Sequence, residues 1–306
     1  NRLTIAIPTF RRPQDLKRAV SGVLEQAGEL VGGSSAEARE PEGDAARAAD
    51  TDGGAGRGVS DVEVLVIDND AQGTGHEAAL AAAADAGVPV RSSAEGSEEP
   101  GVVGLRYVVE ERPGVAAVRN RALDETGGRD LLVFIDDDEI PSPGWLKALV
   151  STWRAQGCAA VTGPTPPTFE VDPSAWVVAS GAFDSWEAAD GAQVRSADTG
   201  NLLLDLAVVE GLGLRFDPRY GLTGGEDSLF PRQLTRAGGV IRFAAGAVVT
   251  KRVPAARARR TWVLERSLRS GSSWARVRID TAAPDGGASG RLARLRLRLG
   301  YGAKGL

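Results

Sequence analysis

The feature that most constrains this chain is a set of short apolar runs that stop abruptly on charge. Leu3-Thr4-Ile5-Ala6-Ile7-Pro8-Thr9 runs into Phe10-Arg11-Arg12, Val62 to Ile67 into Asp68-Asn69-Asp70, and Leu131 to Ile135 into Asp136-Asp137-Asp138-Glu139. The runs are rich in β-branched residues and show no long apolar–polar alternation, as expected of strands covered on both faces. Leu105 to Val109 adds a further strand. Between them lie helical patterns: Pro13 to Gln26 through Leu16, Val20, Val23 and Leu24, an alanine-rich stretch around 75–86, and Val115 to Glu125. This order predicts an α/β fold with a mostly parallel sheet and helices on both faces. In such sheets ligands bind outside the carboxyl ends of the strands. That is the edge where the three polar clusters meet, so it is the candidate site.

The second half reads as a region folded onto the first. It carries a helix from Trp145 to Trp153, a Pro-rich loop at Gly163 to Pro167, a strand at Gly200 to Leu204, and a Gly-rich turn at Gly221 to Gly225 before a helix from Asp227 to Ala237. Residues 28–60 and 91–101 have almost no large apolar side chains and read as flexible insertions, because such segments bury too little to offset their ordering entropy.

Composition removes several classes. With 42% hydrophobic and 25% charged residues, the 306-residue chain can bury a core. One cysteine, Cys158, and one histidine, His76, exclude a disulfide scaffold and a His-rich zinc site. No uninterrupted apolar run reaches the ~18 to 20 residues of a membrane span, and residues 1–10 resemble a strand rather than a signal peptide, which points to a cytoplasmic protein. Charge is unevenly placed: residues 1–250 hold 22 basic and 38 acidic side chains, residues 251–306 hold 14 and 3. The acidic body argues against a nucleic-acid partner. The basic segment suits an anionic membrane at the inner face, an acidic partner, or the body itself.

Three consecutive carboxylates after a buried strand repel one another unless a cation or donors compensate. Hard oxygen ligands of this kind suit Mg²⁺ or Mn²⁺, which would act as a Lewis acid on a phosphate leaving group. The pair Glu226-Asp227 follows Gly224-Gly225 and precedes an apolar helical pattern. It fits both a helix N-terminus, where acids meet the dipole favourably, and a general base in a partly dry cleft.

Taken together, Ile5-Ala6-Ile7-Pro8-Thr9-Phe10-Arg11-Arg12, Val66-Ile67-Asp68-Asn69-Asp70, Arg119-Asn120, Phe134 to Pro141 with Gly144-Trp145-Leu146, and Gly224-Gly225-Glu226-Asp227 resemble family 2 glycosyltransferases. Thr199-Gly200-Asn201 and Arg215-Phe216-Asp217-Pro218 fit the same pattern. The resemblance covers roughly residues 1–240. It implies a GT-A, Rossmann-like domain over 1–250, with 1–140 as the nucleotide-sugar half and 141–250 as the acceptor half, followed by a helical basic extension over 251–306. It further implies an inverting transfer of sugar from a nucleotide-diphosphate donor to a glycan, lipid-linked or small-molecule acceptor.

By the same resemblance, Pro8, Thr9 and Arg12 border the base and ribose, Asp68 and Asn69 contact the base, and Arg119 lies toward the diphosphate or base. Asp136 and Asp138 match an Asp-x-Asp motif, the first near the ribose and the second on Mn²⁺ or Mg²⁺, with Asp137 between them in the donor site. Asp227 matches the catalytic base, and Glu226 shapes the acceptor site. Many members carry a downstream histidine near the metal; Val248-Val249-Thr250-Lys251-Arg252 has none, which leaves Lys251 or Arg252 to neutralise diphosphate charge. Two other readings fit parts of the sequence. A haloacid-dehalogenase-like phosphatase would use Asp136-x-Asp138 as nucleophile and acid, but lacks a clear lysine before the second acidic pair. A degenerate nucleotide- or glycan-binding module would bind without turnover.

Overall fold

The computed structural model of the chain describes residues 1–37, 58–92 and 102–282. In chain order its strands are β1 (Arg2–Thr9), β2 (Asp61–Asp68), β3 (Val90–Arg91), β4 (Val102–Val109), β5 (Leu131–Ile135), β6 (Glu139–Pro141), β7 (Ala160–Thr162), β8 (Pro167–Phe169), β9 (Gln193–Val194), β10 (Asn201–Asp205), β11 (Ile241–Phe243) and β12 (Val249–Val253). Its helices are α1 (Pro13–Glu37), α2 (His76–Asp85), α3 (Val115–Asp124), α4 (Trp145–Gln156), α5 (Ala175–Ala179), α6 (Leu206–Gly211), α7 (Glu226–Arg236) and α8 (Arg260–Thr281).

Among the described residues the strands form a nine-stranded sheet, ordered β3-β4-β2-β1-β5-β10-β7-β11-β9, and a small sheet, β6-β12-β8. The half from β3 to β5 is parallel throughout, as the covered apolar runs predict; β10 then runs antiparallel between β5 and β7. Successive side chains of a strand point to opposite faces. Leu3, Ile5, Ile7, Val64, Val66, Val133 and Ile135 therefore pack on α1, α2 and α4, while Ala6, Leu65, Ile67, Leu132 and Phe134 face α3, α6 and α7. The chain leaves β1 toward β2 on one side and returns to β5 on the other, so a crevice opens at the carboxyl ends beside β1.

The small sheet hangs from that crevice. Strand β6 follows β5 after a three-residue turn, and β12 pairs with it so that Lys251 stands opposite Glu139. One buried side chain locks the neighbouring layers: Asn201, paired with Ile135, accepts from Trp145 Nε1 at 2.9 Å and donates to Ala247 O at 2.7 Å and Pro164 O at 3.3 Å.

Several sequence expectations change. The insertion expected over 28–60 begins later, because α1 continues to Glu37; Ala27, Leu30 and Val31 keep a 3–4 spacing against the core and carry the helix past Gly28 and Gly32. At its other end Val59 is buried and Ser60 N donates to Asn1 O at 2.8 Å. Residues 38–57 lie outside the described residues, as do 93–101 of the second expected insertion, whose first residue, Arg91, belongs to β3 and donates to Asp61 Oδ1 at 3.0 Å. The boundary drawn between 250 and 251 cuts β12, since Lys251 to Val253 complete the small sheet. Of the basic extension, α8 is helical as expected, and 283–306 lie outside the described residues.

Asn201 satisfies three buried groups at once, so Asn201→Ala should cost about 2 to 4 kcal/mol in urea unfolding. A loss below about 1 kcal/mol would show that these layers are held by apolar packing alone.

Candidate active site

At the carboxyl ends of β1 and β5 lies a cleft of about 940 Å³. One wall is Pro8 to Phe10, Arg12 and the turn Asp136 to Asp138; another is Gly114, Val115 and Val118 at the start of α3. The Gly224-Gly225 turn with Asp227, and a face of α8 with Trp262, Arg266 and Ser273, close it. Glycine at 114 is required by geometry: its φ is +109°, and a Cβ there would lie 2.8 Å from Gly221 O.

The turn after β5 holds four consecutive carboxylates. Glu139 is fully buried, and a Cβ at Gly200 would fall 2.5 Å from its Oε2, so that glycine makes its room. Lys251 Nζ donates to Glu139 Oε1 at 2.8 Å and to Asp136 Oδ2 at 3.3 Å, and lies 3.7 Å from Asp138 Oδ1. The other oxygen of Asp138 accepts from Arg12 Nη1 at 3.1 Å and Arg257 Nη1 at 3.0 Å. Asp137 accepts from Thr9 Oγ1 at 2.8 Å and Arg12 Nη1 at 3.0 Å. Burial pushes the Asp137 carboxyl up to about 6 against the pull of Arg12 and Thr9. Burial would also raise Asp136, but Lys251 and Arg119 outweigh it and hold that carboxyl below its ordinary value. For Lys251, burial favours the neutral amine, yet Glu139, Asp136 and Asp138 hold it well above the usual lysine range, so it stays an ammonium.

Of the predicted residues, Pro8, Thr9, Arg12, Asn69, Asp136, Asp137, Asp138 and Asp227 line one cleft. Asp227 is half-buried there, opening α7. Three predicted residues lie behind the wall. Asp68 is fully buried, and its carboxylate accepts from Gly75 N at 2.7 Å, Asp70 N at 2.9 Å and Tyr107 OH at 2.6 Å, so it organises the β2–α2 turn. Arg119 and Glu226 form a buried pair at 2.5 Å that joins α3 to α7, and burial raises the Glu226 carboxyl despite Arg119. Asn69, although on the wall, spends its amide on Glu110 O and Arg112 O, both 2.7 Å, and on Gly114 N at 2.8 Å, which fixes the loop leading into α3.

Lys251 and Arg252 separate as neighbours in a strand should. Lys251 faces the carboxylates, whereas Arg252 pairs with Asp15 at 2.7 Å and with Glu170. Sequence reading left out Arg257, Arg266, Arg269 and Trp262, all of which line the cleft. They sit in the basic segment that suited a membrane, an acidic partner or the body itself, and the chain beyond β12 brings it back onto the body.

Asp136, Asp138 and Glu139 each bring an oxygen within 4.8 Å of the others, a hard donor set that suits a divalent ion in charge. The Lys251 ammonium contacts all three side chains, and Asp138 is engaged at both oxygens. An ion at ~2.0 to 2.6 Å from these oxygens would press against that ammonium. An Mn²⁺ or Mg²⁺ ion shared by these three carboxylates does not fit while Lys251 holds its place.

The family model for Glycosyl transferase family 2 matches residues 55–188, a span that runs from the approach to β2 through the carboxylate turn. A succinoglycan biosynthesis protein, ExoM of Rhizobium meliloti (strain 1021), is 33% identical over 225 residues, 72% of this chain and 66% of that protein. The chain belongs to glycosyltransferase family 2. It spans about two thirds of the length of ExoM. Among solved structures, S. aureus TarS 1–349 superposes with a TM-score of 0.55 at 10% identity, covering 91% of this chain and 64% of that one. The same TarS fragment in complex with UDP gives 0.53 at 11% identity, with the same coverage. At such identity the likeness is one of fold, and the fold of this family member is GT-A-like. Membership displaces the haloacid-dehalogenase reading of Asp136-x-Asp138.

Arg119→Met leaves Glu226 buried without its cation and should cost about 3 to 5 kcal/mol in urea unfolding, most of it recovered by adding Glu226→Gln. A cost under about 1 kcal/mol would show that water reaches this pair.

Proposed function

We propose that this family 2 member transfers a sugar from a nucleotide-diphosphate donor to an acceptor hydroxyl with inversion at the anomeric carbon. The observation that carries the reading is that Asp227, half-buried at the start of α7, opens into the same cleft as the Asp136 to Asp138 turn. TarS 1–349 in complex with UDP and with UDP-GlcNAc supports a nucleotide-sugar donor by likeness of fold.

In this reading the base and ribose lie along Pro8, Thr9 and the loop that Asn69 fixes, and the diphosphate lies near Lys251 and Arg257. Asp227 takes the proton of the acceptor hydroxyl. The freed oxygen pair attacks the anomeric carbon from the face opposite the diphosphate, the bond from that carbon to the diphosphate oxygen breaks, and the nucleoside diphosphate leaves with the electron pair. A hydroxyl is a weak nucleophile at neutral pH, and a positioned carboxylate typically contributes ~10² to 10⁴-fold. Glu226 and Arg119 act from behind, holding α7 against α3 so that Asp227 keeps its place. Asp68 likewise acts through the β2–α2 turn.

The acceptor, a glycan, lipid-linked or small molecule, enters past α8. Among the described residues no helix is long and apolar enough to cross a membrane. Peripheral contact with an anionic membrane, on the cytoplasmic side, belongs to the same proposal: α8 exposes Leu264 and Leu268 one turn apart, beside its arginines.

Asp227→Asn should keep nucleoside-diphosphate affinity but lower transfer at least about a hundredfold, with wild-type product of configuration opposite to the donor. The checks are a radiolabelled-donor assay and the anomeric proton coupling of the product. Near-normal transfer by the variant would return Asp227 to a helix N-terminal role; a product of retained configuration would exclude the single displacement. Binding of a nucleoside diphosphate with no transfer to any acceptor would favour the degenerate binding module.

A further inference from the structure

We propose that the Lys251 ammonium, with Arg257 beside it, takes the part of a divalent cation in this site, neutralising the carboxylates after β5 and meeting the leaving diphosphate, so that donor binding needs no metal ion. This role rests on the nucleotide-sugar reading of the cleft.

The lysine is placed by the backbone. The β12–β6 register sets Lys251 opposite Glu139, Lys251 N donates to Pro166 O at 2.9 Å, and Arg252 N donates to Asp138 O at 2.9 Å. Its side chain contacts the same three carboxylates that would hold an ion, and it also lines the cleft, with 28% of its side chain exposed. An ammonium has three N–H donors. Glu139 at 2.8 Å and Asp136 at 3.3 Å take two, while Asp138 at 3.7 Å lies beyond hydrogen-bond reach. One donor is left for a phosphate oxygen.

Arg257 uses a single nitrogen on Asp138 and keeps further donors on the cleft wall. Arg266 and Arg269 line the same cleft and have no carboxylate partner among the described residues, so its cations are not all spent on the acidic turn. Fixed donors aimed at developing negative charge need no reorganisation when the leaving group departs. A divalent ion shared by Asp136 and Asp138 would have to displace the ammonium that lies against both.

The test uses the full chain and a panel of UDP, GDP, ADP and CDP. Calorimetric affinity for the tightest member is measured in EDTA and in Mn²⁺, with free Mn²⁺ followed by its paramagnetic resonance signal. We expect affinities that agree within about twofold, and no loss of free Mn²⁺ beyond what the nucleotide alone causes. The variant Lys251→Met/Glu139→Gln removes both members of the buried pair, so that no lone charge is left behind. It should bind at least about tenfold more weakly in EDTA and recover in Mn²⁺ as the ion enters the emptied place. If that variant fails to fold, the wild-type comparison alone decides. Wild-type affinity at least about tenfold higher in Mn²⁺, with the free-ion signal depleted, would overturn the inference while leaving the nucleotide-sugar reading standing. No binding of any panel member in either condition would overturn both.

Discussion

Four consecutive carboxylates at the end of a buried strand cannot stay ionised together unless cations reach them, and this fold draws its cations from four other segments. Arg12 comes from the turn after β1, Arg119 from α3, Lys251 from β12 and Arg257 from the loop beyond it. Arg12, Lys251 and Arg257 bridge more than 100 residues of sequence to Asp136, Asp137, Asp138 and Glu139. A buried charge that loses its partner is far more costly than an exposed one. The acidic turn therefore dictates where the first loop, the small sheet and the start of the C-terminal segment must lie.

These pairings give the cleft a graded character. Its floor is charged, half-dry and internally paired, which keeps the Asp136 to Glu139 turn in one shape. Its outer wall is α8, docked by the buried Val263, Ala275 and Val277, by Ser273 Oγ to Thr223 O at 3.1 Å, and by Tyr220 OH to Asp280 at 2.8 Å. Those contacts hold the Gly221 to Gly225 turn that precedes Asp227. The residue proposed to take the proton is thus supported from α3 through Glu226 and from α8 through the turn, although neither support touches substrate.

The strands that build the sheet were legible because burial on both faces writes itself as short runs of large apolar and β-branched residues, as in Val64 to Ile67. Strands of two or three residues, such as β3, β6 and β8, leave no such trace; they exist because a neighbour supplies the ladder. The end of α1 was hidden by Gly28, Gly32 and Gly33, whose helix weakness is overcome by Ala27 and Val31 in the core. Carboxylates of the site were visible at strand ends. Their pairing was not: Arg12, Arg119 and Lys251 read as cations for the donor, and the pairing of Lys251 with Glu139 depends on a register between segments 112 residues apart. Asp68 and Asn69, expected beside the base, also hold the turns around them, and nothing in the sequence marks those hydrogen bonds, because a polar cluster at a strand end can serve the ligand, the turn or both.

Both the proposed transfer and the role of Lys251 require the donor's diphosphate to lie in the cleft beside Lys251 of β12 and Arg257 of the loop that follows it. The most direct measurement is a crystal structure of the full chain with its tightest-binding nucleoside diphosphate. The base should lie beside Pro8 and Thr9, with a terminal phosphate oxygen within hydrogen-bond distance of Lys251 Nζ or the Arg257 guanidinium. A nucleotide seated elsewhere on the molecule, or one in the cleft with its phosphates turned away from both cations, would contradict that placement.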